Sequence, residues 1–558
     1  MSSAYNEKLR IVTLRTTNVK VDADEHYKVA PEPLNQKFLV AFSFVRNWYL
    51  LSAPTRKDMR DLRSISAVRI WTMIAIVYAH CSWFTIAVPI QNPIYVEQSY
   101  HRLWSMLVIN GGNLVQSFFF ISGFLNSIVF LDYVDKKKVK NFGILVKTII
   151  YRYVRFAPVL LFLVLLHSTW LYRFQTGPFW DKFNFYERQA CRENMWTNLL
   201  FINNYISGDL KCLVHTWFIS TDLHLSIIAT ALLLVVVNFP QHRFKLLYGS
   251  VAVSLLISFI HFYVYQLEPI LILTPETLRN QLITTSPYDR YFFEFHSPTH
   301  LNTGNYMIGL VIGYYYYQFR KAGHRHRHNN FYTGLWHLSY ILTFVLCFVG
   351  IYFYEHDIEK GVVSALIGMV LKHIYGPILG VLLVGIFFRY GGFIPKMYNY
   401  GMYRILARLS FSVYMIHVTI GSVIITGQSY PVEINHAVLC AFTSGVYVLS
   451  HAAAVCLVIC IELPAHVIYK TIMNDNHYAP THMNIGNYFI GVAVGFMYYY
   501  LKKSNVNVSK LLDNGRISYA SYICHLFILK LLMASIEQPM YLSVYSVVSV
   551  TLIIFLRQ

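Results

Sequence analysis

The sequence predicts an all-α polytopic membrane protein with about ten transmembrane helices and a partly duplicated C-terminal tail. Three observations carry this. Hydrophobic residues fill 56% of the 558 positions and charged ones only 13%, against about 25% in soluble chains. The apolar residues gather in runs long enough to cross a bilayer as helices. Basic residues cluster in every second connecting loop, the signature of cytosolic connections. The net charge of +19 therefore reports topology, with no nucleic-acid partner implied.

The first run, AVRIWTMIAIVYAHCSWFTIAVPI at 67–90, places span one at 69–90. Further spans are expected at 105–131, 151–172, 213–237, 247–265, 301–319, 334–354, 362–388, 409–428 and 437–461. The signal is weakest at 301–319, where four successive tyrosines, 314–317, suit an interface. Basic clusters at 56–63, 136–147, 243–245, 320–327 and 389–408 alternate with long mixed-charge loops. They place the N-terminus in the cytosol and loops 173–212 and 266–300 in the lumen or outside.

Three regions follow: a polar cytosolic N-terminal segment at 1–66, a membrane domain at 67–466, and a partial duplicate at 467–558. Residues 1–37 hold no apolar core, so no secretory leader is expected. In the tail, APTHMNIGNYFIGVAVGFMYYY (479–500) repeats SPTHLNTGNYMIGLVIGYYYY (297–317). Likewise GRISYASYICHL (515–526) repeats ARLSFSVYMIHV (407–418). The second copy is incomplete, which favours a recent partial duplication or a joined gene model over pseudo-symmetry. None of the eight cysteines forms a CxxC pair, so no metal or redox motif is expected. Cys191 and Cys212 flank a polar loop and can pair if it faces an oxidising compartment.

Five constellations could carry chemistry. Arg69 and His80 share span one, with His80 about 16 Å deeper than Arg69. An ionisable group at that depth is costly and reads as functional, the alternative being a hydrogen bond to a neighbouring helix. Arg152 and Arg155, at i and i+3, share a helix face. They can clamp phosphates or simply anchor a span at the cytosolic interface. Ser122-Gly123, within FFFISGFLNS, lets a helix or a ligand approach the backbone closely. HTWFISTDLHL puts His215, Asp222 and His224 at the start of span four, where Asp222 needs an intramembrane partner. Lys372-His373 lies in mid-span eight and carries the same implication. His417 and His451 read as packing histidines. His324, His326 and His328 read as part of a topology-setting charge cluster. Walker-type, G-x-S-x-G and H-E-x-x-H motifs are absent from the sequence.

In this order the motifs resemble the acyltransferase-3 family of integral membrane proteins, most closely its nose-resistant-to-fluoxetine-like animal branch. The family's Arg-(ten residues)-His pattern matches Arg69 and His80, its Arg-x-x-Arg pair Arg152 and Arg155, and its Ser-Gly-Phe stretch Ser122 to Phe124. ARLSFSVYMIH (407–417) and Glu462-Leu463-Pro464 echo two further branch segments, so the resemblance covers about 38–470. Two departures stand out. The branch's cysteine-rich extracellular domain has no counterpart in residues 1–66, and Lys372 stands where the branch usually carries arginine.

The resemblance implies an O-acyltransferase taking an acyl group, typically acetyl, from cytosolic acyl-CoA to an unidentified acceptor hydroxyl, without a metal. His80 would then be the general base. Arg69 would assist it, with Arg152, Arg155, Ser122 and Lys372 at the donor site. The alternative is a transporter or uptake factor for lipids or small hydrophobic compounds, since intramembrane ionisable residues serve transport equally. Either way the chain is an integral, multi-pass protein, with plasma membrane and endoplasmic reticulum equally compatible.

Overall fold

The computed structural model describes residues 34–474, apart from 54–61, 110–113, 207–210, 271, 273, 275–294, 324–329, 357 and 391. The duplicated tail beyond residue 474 and the histidines at 324–328 lie outside the described residues. The compact unit that holds the membrane helices closes at Thr471.

Two short helices, α1 (Leu34–Ala41) and α2 (Phe44–Ser52), precede the bundle. Within the segment 1–66, expected to be polar and cytosolic, the apolar run FLVAFSFVRNWYLL at 38–51 contributes to these two helices and packs on the membrane unit. Next come α3 (Ser64–Ala87), α4 (Val115–Lys137), α5 (Gly143–Leu165), α6 (Trp180–Leu199), α7 (Trp217–Asn238) and α8 (Arg243–Val264). They are followed by α9 (Thr299–Lys321), α10 (Asn330–Phe348), α11 (Val362–His373), α12 (Tyr375–Phe387), α13 (Met402–Thr426), α14 (His436–Leu457) and α15 (Leu463–Asn474). All ten expected spans are helical over their described residues, the long helix of the second beginning at Val115. Nine stretches among the described residues are long and apolar enough to cross a membrane, which makes the chain an integral multi-pass membrane protein.

The tenth is α9, and its weak signal has a physical cause. It lies inside the bundle, packed against α4, α7, α8 and α12, so it need not be apolar all round. Buried Asn302 and Asn305 are answered within that core. Gln116 of α4 donates to Asn302 (2.7 Å), and Asn305 donates to Gln116 (2.9 Å) and to the Lys372 carbonyl (2.8 Å). Asn305 also accepts the Gly376 N–H at 3.0 Å. Span eight, expected as one helix, breaks here into α11 and α12. Pro377 has no N–H to donate, and its ring crowds the preceding turn. Asn305 satisfies groups on both sides of that break.

The α4–α9 contact is backbone against backbone. A Cβ added to Gly309 would land on the Phe120 carbonyl, one on Gly313 on the Phe124 carbonyl, and one on Gly123 on the Tyr306 carbonyl. Gly309 and Gly313 form a GxxxG step, the spacing that lets membrane helices touch along their axes. Ser127 locks the register by donating to the Leu310 carbonyl at 2.6 Å. Outside the spans, Cys191 of α6 forms a disulfide with Cys212, in keeping with a loop on the non-cytosolic side.

Gly309→Val should destabilise the fold by at least the about 1–3 kcal/mol of ordinary overpacking, because backbone is what obstructs the side chain. Thermal unfolding in detergent would show a large drop in midpoint, or no folded protein. Gly249→Ala in α8, with no atom within 4 Å of the added carbon, should leave the midpoint unchanged or slightly raised. Equal midpoints for the two variants would refute the close contact.

Candidate active site

His80 sits sixteen residues into α3, about 24 Å along the helix. Helix α13 packs along α3. Beyond their ends the chain segments are also joined, Gln91 N–H donating to the Val432 carbonyl (2.9 Å) and Val432 N–H to that of Pro89 (3.0 Å). This register brings His80 Nδ1 to 2.8 Å from Nε2 of His417, a fully buried residue. The two rings stack at 5.1 Å.

Hydrogen-bond roles then fix both tautomers. His417 Nδ1 lies 2.7 Å from the Tyr414 carbonyl, which can only accept, so Nδ1 carries the proton. Neutral His417 therefore has a bare Nε2, and His80 must donate to it from Nδ1. The remaining nitrogen of His80, Nε2, is left with a lone pair and has no hydrogen-bond partner among the described residues. Tyr414 also donates to the His215 carbonyl (2.6 Å), and His215 donates from Nε2 to the Met415 carbonyl (3.2 Å). The His215 ring stands 6.0 Å from that of His417. His417, read from sequence as a packing residue, thus orients the candidate base. The signal for it was its place at the end of the ARLSFSVYMIH segment.

The arginines form a second cluster. The sequence expectation began span three at 151, because Lys147 and Thr148 depress its hydropathy. Nothing there breaks a helix, and α5 begins at Gly143. Arg152 and Arg155 accordingly lie about 14 and 18 Å inside it, not at its rim. Arg152 pairs with Asp222 of α7 at 2.6 Å, which answers the carboxylate's need for a partner. The second Asp222 oxygen is buried and has no hydrogen-bond partner among the described residues. Arg69 lies within electrostatic reach of Arg155, Asp222 and Arg152, and among the described residues it makes no ion pair. Glu462, held by the Ser412 hydroxyl at 2.9 Å, lies within reach of Arg155. Three guanidinium groups thus share two carboxylates.

Ser122 joins this cluster through the Tyr306 hydroxyl, to which Asn126 also donates at 3.4 Å. Tyr306 itself lies within reach of the Arg152–Asp222 pair. Lys372 does not join it. Its ammonium donates to the Phe295 carbonyl at 2.5 Å and lies 4.6 Å from the centre of that ring, and its charge acts on His296, His300 and His373. The sequence-predicted residues are therefore brought together in part: Arg69, Arg152, Arg155 and Ser122 in one group, His80 with His417, and Lys372 elsewhere.

Beyond the spans, Glu187, Cys191 and Cys212 come close enough to hold a metal ion. Both sulfurs are consumed in the disulfide, so no thiolate is available there and the group does not fit a metal. Glu187 accepts the Leu213 N–H at 2.9 Å and faces His167 Nδ1 at 3.8 Å. Burial pushes its carboxyl up to about 7, against the opposing effect of the Leu213 N–H. A raised carboxyl favours the folded state fully below its unfolded value, and that contribution is lost as pH rises through about 7. Native protein should therefore lose thermal stability between about pH 4.5 and 7 relative to Glu187→Gln. Parallel pH profiles of the two melting temperatures would contradict this.

A family model described as an acyltransferase domain matches residues 62–462. Nose resistant to fluoxetine protein 6 of Caenorhabditis elegans is 26% identical over 296 residues, which are 50% of this chain and 34% of that protein. The chain thus spans about a third of the length of the curated relative it matches. No solved structure matches it significantly.

Proposed function

Because the chain belongs to the acyltransferase-3 family, whose model covers residues 62–462, we propose that it is a membrane-embedded O-acyltransferase. It moves an acyl group, acetyl in the simplest case, from cytosolic acyl-CoA to an acceptor hydroxyl of a lipid or small molecule. The chemistry belongs to the membrane domain at 67–466. The observation that supports this most directly is the 2.8 Å contact of His80 Nδ1 with His417 Nε2; with both rings neutral and His417 protonated on the Nδ1 that faces the Tyr414 carbonyl, it leaves His80 Nε2 available as a base.

The acceptor hydroxyl gives its proton to His80 Nε2 as its oxygen attacks the thioester carbon. A tetrahedral oxyanion forms, steadied by nearby positive charge. Collapse breaks the carbon–sulfur bond, and the thiolate takes the proton back from His80, so the enzyme ends neutral. Arg69, Arg152 and Arg155 hold the donor's phosphates inside the helix bundle. Arg69 and His80 lie about 16 Å apart along α3, so a long donor is needed to reach both. Acyl-CoA is such a donor, with phosphates at one end and a thioester at the other. Ser122 acts through Tyr306, and Lys372 supports the wall around His296.

His80→Ala should abolish acyl transfer, a loss of at least the about 10²–10⁴-fold that a general base contributes, with membrane insertion intact. Purified protein in lipid, given labelled acetyl-CoA and candidate acceptors, should release CoA. Ligand flux without CoA release would replace the enzyme reading by transport.

His417→Ala should lower turnover and shift its pH profile, whereas His417→Gln should retain more activity because its carbonyl oxygen can still accept from His80. Arg69→Gln should raise KM for acyl-CoA more than it lowers kcat. Wild-type kinetics in the His417 variants would remove that residue from the site.

A further inference from the structure

The helices α1 and α2 lie ahead of the family match, which begins at residue 62, and the chemistry above makes no use of them. Their packing is inverted relative to a helix that covers a protein in water. Along α2 and the residue before it, Ser43, Asn47 and Leu51 recur every fourth position and point inward, at 3%, 0% and 4% exposure. Phe44, Val45 and Trp48 point outward, at 59%, 51% and 50%. Phe42 and Leu39 extend the outer patch at 60% and 56%, and the Phe44 and Trp48 rings stack. A water-facing helix reverses this order and turns its polar stripe outward.

The inner face is fixed by polar contacts to the bundle. Asn47 donates to the Ala41 carbonyl at 2.8 Å and to that of Ile459 at 3.0 Å. Ile459 lies in the π-turn Val458–Glu462 that joins α14 to α15. Arg408 donates to the Leu51 carbonyl at 2.5 Å, and Arg404 to that of Ser52 at 3.5 Å. Both arginines belong to a basic stretch of the kind that marks cytosolic connections. The helix pair therefore sits at the cytosolic rim with its aromatic face directed outward. Between residues 37 and 63 the sequence carries six basic and two acidic side chains, which suits a negatively charged leaflet.

We propose that residues 34–52 form an interfacial helix pair whose outer face lies in the cytosolic leaflet and favours anionic phospholipid. This is the arrangement of a monotopic amphipathic helix, here braced by Asn47 against the turn that carries Glu462. Lipid contact thereby reaches a residue that faces Arg155.

A nitroxide label at Trp48→Cys tests it, in the full chain with Cys347, Cys440, Cys456, Cys460 and Cys524 replaced by serine. The protein is placed in nanodiscs of phosphatidylcholine, with or without phosphatidylserine. The label should collide more with oxygen than with a water-soluble nickel chelate, and phosphatidylserine should deepen it. Phe44→Cys repeats the measurement one turn earlier and should agree. Preferential collision with nickel would overturn the proposal, since the face then meets water. Protection from both reagents would overturn it equally, because protein then covers the face. Identical depth in both lipids would overturn the preference for anionic lipid. None of these readouts depends on acyl transfer.

Discussion

The direct contact between α4 and α9 is the constraint on which the bundle depends. Lipid is as apolar as the side chains it meets, so membrane helices gain little by burying leucine and associate through close packing and hydrogen bonds. Gly123, Gly309 and Gly313 bring the two backbones together, and Ser127 fixes their register through the Leu310 carbonyl. That register brings Tyr306 of α9 within hydrogen-bond reach of Ser122 on α4. It also sets Gln116 against Asn302 and Asn305. A shift of one residue would rotate these amides away from one another and leave several buried polar groups unsatisfied, at about 1–3 kcal/mol each.

The same logic holds on the other side of the molecule, where α3 and α13 meet. Their contact is carried by the His80–His417 imidazole pair, and the Tyr414 hydroxyl ties α13 in turn to the His215 carbonyl just ahead of α7. These polar links are directional, so they fix ring orientation as well as helix position. His167 adds a further link, its Nε2 lying 2.8 Å from the Thr419 hydroxyl of α13. Candidate chemistry and fold therefore share the same hydrogen bonds.

Much of this was legible in sequence because lipid imposes a simple rule on length and polarity. The ten helical spans, their loops and the isolated charges Arg69, His80, Asp222 and Lys372 all stand out against an apolar background. What failed to show had two causes, tertiary contact and the averaging of hydropathy along the chain. The α9 span signalled weakly because its polar residues are satisfied inside the bundle, which a hydropathy count cannot register. The start of α5 was read eight residues late because Lys147 lowers the local average without breaking the helix. His417 looked like any core histidine, since its neighbour His80 lies 337 positions away in sequence. Residues 38–51 were passed over among the polar N-terminal residues, although the run is too short to span and apolar enough to lie on a membrane.

The charge balance around Arg152 gives the strongest reason to expect an anionic ligand. Desolvating an unpaired charge costs several kcal/mol, and a purely structural cluster would be expected to balance its charges. Among the described residues, the carboxylates within reach of Arg69, Arg152 and Arg155 are Asp222 and Glu462, and Arg69 makes no ion pair. Asp222 is tied to Arg152 and Glu462 to Ser412, and neither forms an ion pair with Arg69, although Asp222 lies within its electrostatic reach. A phosphate-bearing donor would bring negative charge to this basic cluster. On the proposed function, binding and catalysis are therefore linked by electrostatics. Such a donor would offset the positive surplus at one end and would carry its thioester toward the second nitrogen of His80 at the other.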